Sequence, residues 1–140
     1  MTENQKKSNN YLYRIRDVDK NIAKLIEKID YLRYQASGAG AIRYDKDHVQ
    51  TSPEDMMCNA MAEAIDLENE LYARYERIME MQEHTVQVIS SWNNNNAKFI
   101  ETYFLHHGSM SDVAKRIGCS DRHVYRIKLE ALEEFAQYIV

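Results

Sequence analysis

Residues 109–132 read Ser109-Met-Ser-Asp-Val-Ala-Lys-Arg-Ile-Gly-Cys-Ser-Asp-Arg-His-Val-Tyr-Arg-Ile-Lys-Leu-Glu-Ala-Leu132, and their pattern predicts two helices joined by a tight turn. Apolar residues recur at helical spacing on both sides of the turn, at Val113, Ala114 and Ile117 before it and at Val124, Ile127, Ala131 and Leu132 after it. Gly118 stands where the first helix should end, because glycine reaches the left-handed conformation at little steric cost. Ser120 can cap the second helix, and the small Ala114 permits a close crossing of the two. The stretch therefore predicts a helix-turn-helix.

The outward face of the second predicted helix is polar and carries Asp121, Arg122, Tyr125 and Arg126. A recognition helix presents such a face to the major groove of DNA, so these four residues are the predicted base-reading set. Arg122 and Arg126 can each donate two hydrogen bonds to a guanine edge, and Tyr125 can touch a thymine methyl group or a phosphate. Asp121 can accept from cytosine or cap the helix, and we expect the capping role.

Further polar residues flank this face. Lys115, Arg116 and Lys128 are predicted to contact DNA phosphates, together with the hydroxyl group of Ser120. Such contacts set the register of a protein on DNA without specifying the sequence. His123 is a lesser candidate, because a solvated helix position accounts for it equally well.

The charges of the chain are unevenly distributed. The formal net charge of the 140 residues is −4, which gives no global attraction to nucleic acid. Acidic residues predominate between Glu54 and Glu83, where the only cations are Arg74 and Arg77, whereas cations predominate from His106 to Lys128. This distribution of an acidic body and a basic end suits a protein that docks one end on DNA.

Composition favours one helix-rich domain or one domain with an extension. Hydrophobic residues make up 44% and charged residues 29% of the chain, with one Pro and four Gly. No apolar run approaches the roughly 20 residues that span a bilayer, and the N-terminus lacks the apolar centre of a signal peptide, so we expect a cytoplasmic protein with no membrane partner. Cys58 and Cys119 fall among apolar helical positions and are expected to be buried free thiols.

The N-terminal region has the heptad pattern of a coiled-coil helix. Its apolar residues alternate in steps of four and three, at Tyr11, Ile15, Val18, Ile22, Leu25, Ile29 and Leu32. The pattern stops at the glycine-containing segment Ser37–Ala41. A further helix is predicted to begin near Pro53, with Ser52 as its cap and Asp55 closing a capping box.

The fold predicted from these elements is all-α. The helix from Pro53 reaches Trp92, either unbroken or with a break near Gln82, and the simplest arrangement packs it against the first helix as a long antiparallel hairpin. A coiled-coil seam shared with a second chain, giving a homodimer, is the competing arrangement. Residues 6–82 are assigned to this hairpin, with a loop at about 36–52, and residues 83–140 to a DNA-binding domain.

The DNA-binding domain is predicted to contain a short apolar helix before the helix-turn-helix. Asn96 can cap a helix over Ala97–His106, and Trp92 is expected to join the same core. The two helices that follow are predicted over Met110–Ile117 and from Asp121 to about Tyr138.

Residues 97–135 resemble the fourth conserved region of bacterial sigma factors. The residues that carry the resemblance are Val113, Ala114, Ile117, Gly118, Ser120, Val124, Ile127, Ala131 and Leu132. Over roughly residues 22–135 the chain is similar to the RinA- and ArpU-like regulators of phages and prophages, through Asp47-His-Val-Gln-Thr-Ser-Pro-Glu-Asp55 between two helices and Asp66-Leu67-Glu68 a few turns later. Asp121, Arg122, Tyr125 and Arg126 fall on the base-reading positions of the sigma-like helix, although sigma factors keep a different mix of Arg, Glu and Gln there.

The resemblance implies a phage-type transcriptional regulator that activates late genes at promoters with the host RNA polymerase. Double-stranded promoter DNA is the expected partner, and the polymerase a further one. Two alternatives remain open: a small terminase-like protein of genome packaging, and a helical protein-interaction module in which Arg122 and Arg126 dock an acidic partner.

Enzyme chemistry is not predicted. His106, His107, His123 and Cys119 lack the spacing of a zinc site, and adjacent histidines point to different sides of a helix. The glycines of Ser37–Ala41 lack the strand and helix of a phosphate-binding loop. No catalytic residue, metal or cofactor is therefore expected.

Overall fold

The computed structural model describes residues 1–38 and 53–139, and every regular element in these residues is a helix. The all-α prediction is confirmed for this part of the chain. The helices, in order, are α1 (Glu3–Arg16), α2 (Val18–Ala36), α3 (Pro53–Ser90), α4 (Asn95–Phe99), which continues as a π-helical segment (Ile100–Leu105), α5 (Met110–Ile117) and α6 (Asp121–Ala136). None of these helices is long and apolar enough to cross a membrane.

Several predictions fall outside the described residues. They are the Ser52 cap, most of the loop at 36–52 and most of the segment Asp47–Asp55 that carries the resemblance to phage regulators.

The chain divides into two compact units. The first, which we call the terminal unit, combines Met1–Val18 with Arg77–Val140, and the second, the central unit, comprises Asp19–Glu76. The predicted division at residues 82 and 83 placed the N-terminal helix with the hairpin, whereas α1 packs in the terminal unit. The reason is the buried face of α1, on which Ser8, Leu12 and Ile15 have no solvent-accessible surface.

The predicted first helix, with its heptad seam from Tyr11 to Leu32, is two helices. The α-helical conformation ends at Asp17, whose backbone has φ −96° and ψ 18° and whose N–H donates to the Tyr13 carbonyl at 2.8 Å. Aspartate favours helix ends over helix interiors, because its side chain competes for nearby backbone groups. The prediction of one continuous seam is wrong, since Ile15 is buried in the core of the terminal unit and Leu32 in that of the central unit.

Helix α3 settles a question that the sequence left open. It runs unbroken for 38 residues from Pro53 to Ser90, and the half-buried Gln82 does not interrupt it. Proline tolerates the first position of a helix because no intrahelical partner is lost there.

Helix α4 begins two residues earlier than predicted. Asn94, not Asn96, is its cap, and the Asn94 side chain accepts a hydrogen bond from the Ala97 N–H at 3.1 Å. The Asn96 amide instead donates to the Glu134 carboxylate of α6 at 2.8 Å. The predicted helix over Ala97–His106 is therefore a short α-helix followed by the π-helical segment.

The core of the terminal unit is built around the three phenylalanines of the chain. Phe99, Phe104 and Phe135 have no solvent-accessible surface, and Trp92 packs beside Phe135 with ring centroids 6.4 Å apart. The prediction that Trp92 joins this core is confirmed.

Two side chains of α1 donate hydrogen bonds to backbone carbonyls of α6. The Ser8 hydroxyl donates to the Leu132 carbonyl at 2.6 Å, and the Gln5 amide donates to the Leu129 carbonyl at 3.2 Å. Buried Leu12 lies in the same apolar cluster as Leu132. The first sixteen residues and the last helix thus belong to one packed unit, although they lie at opposite ends of the sequence.

The central unit has a smaller core. Leu32 of α2 is buried with Ala60 and Ala64 of α3, and Ala36 and Leu67 pack alongside. Two ion pairs join the same helices, Arg33 with Glu68 and Lys28 with Glu63 at 3.6 Å. Because these pairs are substantially exposed, each contributes little to stability.

The two thiols differ in exposure. Cys119 is half-buried, but Cys58 is exposed, and the prediction of a buried Cys58 is wrong. The apolar residues that flank Cys58 in sequence do not place it in the core, because the buried face of α3 near it consists of Ala60 and Ala64.

Replacement of Leu12 by alanine should destabilise the terminal unit. The side chain is fully buried, so its truncation leaves a cavity and should lower the free energy of unfolding by about 2–5 kcal/mol. Urea unfolding monitored by the fluorescence of Trp92, the single tryptophan, measures this unit. The control Val86→Ala, in the same unit at a residue 51% exposed, should lose far less. Equal losses in the two variants would contradict the placement of α1.

Candidate nucleic-acid interface

Helix α5 begins with a capping box. The Ser109 hydroxyl oxygen accepts from the Asp112 N–H at 3.1 Å, and the Asp112 carboxylate accepts from the Ser109 N–H at 2.9 Å. A hydrogen bond from the Ser109 backbone N–H to the carboxylate, and after it one from the Ser109 side chain, hold the pKa of the Asp112 carboxyl below its ordinary value. The predicted bounds of this helix, Met110–Ile117, are confirmed.

The turn between α5 and α6 depends on a left-handed residue. Gly118 has φ 81° and ψ 39°, and its N–H donates to the Ala114 carbonyl at 2.8 Å. The Cys119 N–H donates to the same carbonyl at 3.1 Å. A Cβ atom on Gly118 would meet nothing within 4 Å, so the backbone conformation, not lack of space, favours glycine here.

Ser120 caps α6, as predicted. Its hydroxyl oxygen accepts from the His123 N–H at 3.2 Å. Asp121 was expected to cap the helix, but it is the first residue inside it, because the preceding serine occupies the capping position. The Asp121 carboxylate instead lies in the first turn, where it complements the positive end of the helix dipole.

Helix α6 has one buried and one exposed face. The buried side chains recur at helical spacing, at Val124, Ile127, Lys128, Ala131, Leu132, Phe135 and Ala136. The predicted apolar residues of this face are confirmed as buried.

The exposed face of α6 carries the predicted base-reading residues. Arg122 and Arg126 are exposed, and Tyr125 is 59% exposed. Within residues 1–38 and 53–139, neither arginine forms an ion pair. With Ser120 and His123 they line a shallow depression of about 390 Å³. The structure thus brings these cations together at the first turns of α6, free of an acidic partner among the described residues.

Lys128 lies on the inner face of α6 and not on the predicted DNA-contacting surface. It was predicted as a phosphate contact, but it is 8% exposed and belongs to the inner face of α6. Its ammonium group lies 5.6 Å from the ring centroid of Tyr125, 5.7 Å from that of Tyr103 and 5.9 Å from that of Tyr13. The helical register explains the error, because position 128 follows Val124 by four residues and faces the same way.

The two predicted phosphate contacts on α5 differ from each other. Lys115 is exposed and forms no ion pair in the part of the chain that the structure describes. Arg116 donates to the Thr102 hydroxyl at 2.7 Å and pairs with the Glu101 carboxylate at 3.4 Å. Part of the positive charge of Arg116 is therefore already compensated within the chain.

Arg16 of α1 contacts the backbone that precedes α5, and this role was not predicted from the sequence. Its guanidinium donates to the carbonyls of Tyr103 and Gly108, the latter at 2.7 Å, and lies 4.0 Å from the centroid of the Tyr103 ring. Gly108 directly precedes Ser109, the cap of α5. Arg16 thus ties α1 to the start of α5, a contact for which the sequence carries no local signal.

Tyr13, on the same helix, forms a second contact with the π-helical segment. Its hydroxyl group lies 2.7 Å from that of Tyr103. Burial, and then the hydrogen bond with Tyr103, raises the pKa of Tyr13 far above its ordinary value. The Tyr13 hydroxyl group is therefore neutral at physiological pH.

No family model, curated protein or solved structure matches this chain. Among the described residues there is also no group of three or more histidine, cysteine, aspartate or glutamate side chains placed to hold a metal ion.

Replacement of Ser109 by alanine should raise the pKa of the Asp112 carboxyl. The variant loses the side-chain hydrogen bond but keeps the backbone N–H, so the pKa should move only part of the way to its ordinary value. A lowered pKa in the folded state contributes stability above the unfolded-state pKa and loses it as the pH falls through the folded-state pKa. The variant should therefore lose less stability on acidification.

An NMR titration of the Asp112 carboxyl carbon measures this shift. Ser111→Ala, which removes a neighbouring exposed hydroxyl, is the matched control and should leave the pKa unchanged. A pKa that is equal in wild type and Ser109→Ala would refute the assigned role of the cap.

Proposed function

We propose that this protein is a sequence-specific DNA-binding transcriptional regulator of the phage or prophage type, and an activator of late genes. Helix α6 enters the major groove as the second helix of a sigma-like helix-turn-helix formed with α5. Promoter DNA is its ligand, and the host RNA polymerase is its protein partner. In this proposal α2 and α3 form a helical hairpin that positions the protein for the polymerase or for a second copy of itself.

One observation carries the proposal. Two exposed arginines and an exposed tyrosine, Arg122, Arg126 and Tyr125, stand at the start of a helix whose opposite face is buried. Neither arginine has an acidic partner in the described residues, so no ion pair there has to break when they meet DNA. Arginine can donate two hydrogen bonds to the O6 and N7 atoms of guanine, which gives sequence recognition as well as affinity.

The remaining polar groups of this surface suit phosphate contacts. Lys115 is exposed on α5, and the Ser120 hydroxyl group, which accepts from the His123 N–H, retains its own hydrogen for donation to a phosphate. Arg116 contributes less, because the Glu101 carboxylate competes with phosphate for it. Lys128 is excluded from the contact set by its burial.

The acidic character of the whole chain is compatible with this role. A net charge of −4 disfavours indiscriminate binding along DNA, while the local cations attract the phosphates at one surface. Binding should therefore be weak on random sequences and depend steeply on salt.

The proposal is tested by selection of duplexes from a random double-stranded library, followed by fluorescence anisotropy with the selected duplex. Arg122→Ala and Arg126→Ala should each weaken binding to that duplex roughly 5- to 150-fold, as expected for loss of a bidentate base contact. Their binding to a scrambled duplex should change much less. The wild-type affinity should fall steeply between about 50 and 200 mM salt.

Two further variants complete the design. Lys115→Ala should weaken binding to both duplexes alike and reduce the salt slope by about one. Arg77→Ala removes the same charge from an exposed position on α3 and is the matched control, with affinity close to wild type. Failure to select any motif, or equal binding by wild type and Arg126→Ala, would reject the proposal.

A further inference from the structure

A cleft opens in the terminal unit between the end of α3 and the segment that follows it. One wall is formed by residues 82–90 of α3, and the other by residues 97–106, which include most of α4 and the π-helical segment. Trp92 and the asparagines at 93–95 also line the cleft, so the chain itself joins the two walls at one end. All of these residues belong to the terminal unit. The cleft is therefore closed at the end formed by this loop.

The cleft has the size of a small-molecule site. Its volume is about 750 Å³, and ligand pockets usually have roughly 300–1,000 Å³. The wall over residues 82–90 is roughly 12 Å long, at the rise of about 1.5 Å per residue of an α-helix. This length suits a compact molecule of two or three rings. A helix of a partner protein fits less well, because the loop at the closed end would stop it.

The apolar part of the cleft is formed by both walls and the loop between them. Val86 and Ile89 of α3, Trp92 of the loop and Leu105 of the π-helical segment contribute to it. Val86 is 51% exposed, and Trp92 and Leu105 are half-buried, so their apolar surface is accessible to a ligand. Removal of this surface from water favours the binding of an apolar molecule.

The charged groups of the cleft leave one cation without a partner. The titratable side chains that line it are Lys98, Glu101 and His106. One oxygen of Glu101 pairs with Arg116 at 3.4 Å, and the other lies 3.5 Å from the Nε2 atom of His106. Lys98 is exposed and forms no ion pair among the described residues. Glu83, although next to Gln82 in sequence, does not line the cleft.

This arrangement favours a ligand with a negative charge. Within the described lining, a bound anion meets the unpaired ammonium group of Lys98, whereas the carboxylate of Glu101 is already compensated by Arg116. Opposite charges attract more strongly beside an apolar surface than in open water, because the local dielectric constant is lower.

We propose that this cleft binds a small molecule with an apolar ring system and one anionic group, a carboxylate or a sulfonate. The ring system packs on Val86, Trp92 and Leu105, and the anionic group meets the ammonium group of Lys98. The inference goes beyond the proposed DNA binding and does not rest on it, because none of the residues proposed to contact DNA lines the cleft.

Titration of the full chain with anilinonaphthalene sulfonate, an aromatic anion whose fluorescence rises in apolar surroundings, tests the site. The wild type should bind this probe saturably, and the emission of Trp92, the single tryptophan, should be quenched as the probe binds beside it. Lys98→Gln should weaken binding about 2- to 5-fold, as expected for the loss of one partly exposed ion pair. The matched control Lys115→Gln removes the same charge from an exposed position outside the cleft and should bind like the wild type.

The uncharged analogue phenylnaphthylamine separates the role of the charge from that of the apolar surface. It should bind the wild type and Lys98→Gln equally, because it carries no group for the ammonium. Val86→Gln should weaken the binding of both probes, since it replaces an apolar side chain of the lining. Its control is Met79→Gln, at an exposed apolar residue of the same unit outside the cleft, which should bind both probes like the wild type. Circular dichroism should show the same helical content in all variants.

Three results would overturn the inference. The first is the absence of saturable binding of either probe, which leaves the cleft to a protein segment or to no ligand. The second is equal affinity of anilinonaphthalene sulfonate for the wild type and Lys98→Gln. The third is a loss of affinity in Met79→Gln as large as that in Val86→Gln, which would place the probe on another surface.

Discussion

The packing of α1 against the inner face of α6 is the interaction on which the terminal unit depends. Ser8 and Gln5 bond to carbonyls of α6, and Leu12 and Ile15 fill the core beside it. These contacts join residues more than 120 positions apart in sequence. They fix which side of α6 is buried, and so determine that Arg122, Tyr125 and Arg126 remain on the outside.

The same constraint gives α1 a role at the proposed interface without contact with DNA. Arg16 bonds the Gly108 carbonyl next to the cap of α5, and Tyr13 meets Tyr103 beneath the inward-facing Lys128. The proposed recognition surface is thus supported by a helix that precedes the central unit in sequence. In physical terms, the acidic central unit is an insertion between two parts of one folded unit.

The predictable parts of the fold were those set by local chemistry. Glycine geometry predicts Gly118 at the left-handed turn, and capping preference predicts Ser120 at the start of α6. Helical spacing predicts the buried face of α6, with Val124, Ile127 and Leu132. The bounds of α5 and the exposure of the two arginines of α6 follow for the same reasons.

The predictions that were wrong concern residues whose placement depends on tertiary contacts. Ile15 and Leu32 share one heptad register, and nothing in that register shows that they belong to different cores. Lys128 was predicted to be exposed because lysine is cationic. Its position on α6 instead directs the side chain toward the tyrosines of α1 and the π-helical segment. The prediction of a buried Cys58 was wrong for a similar reason, since the apolar Met61 and Ile65 near it are themselves exposed.

The central claim is that the exposed face of α6 is the DNA-contacting surface of this protein. Amide chemical-shift mapping of the full chain, titrated with a selected duplex, tests it most directly. If α6 contacts DNA through this face, the largest perturbations fall between Lys115 and Arg126, with the amides of α2 nearly unchanged. Perturbations concentrated in α2 or in the central part of α3, with the first turns of α6 unaffected, would contradict it.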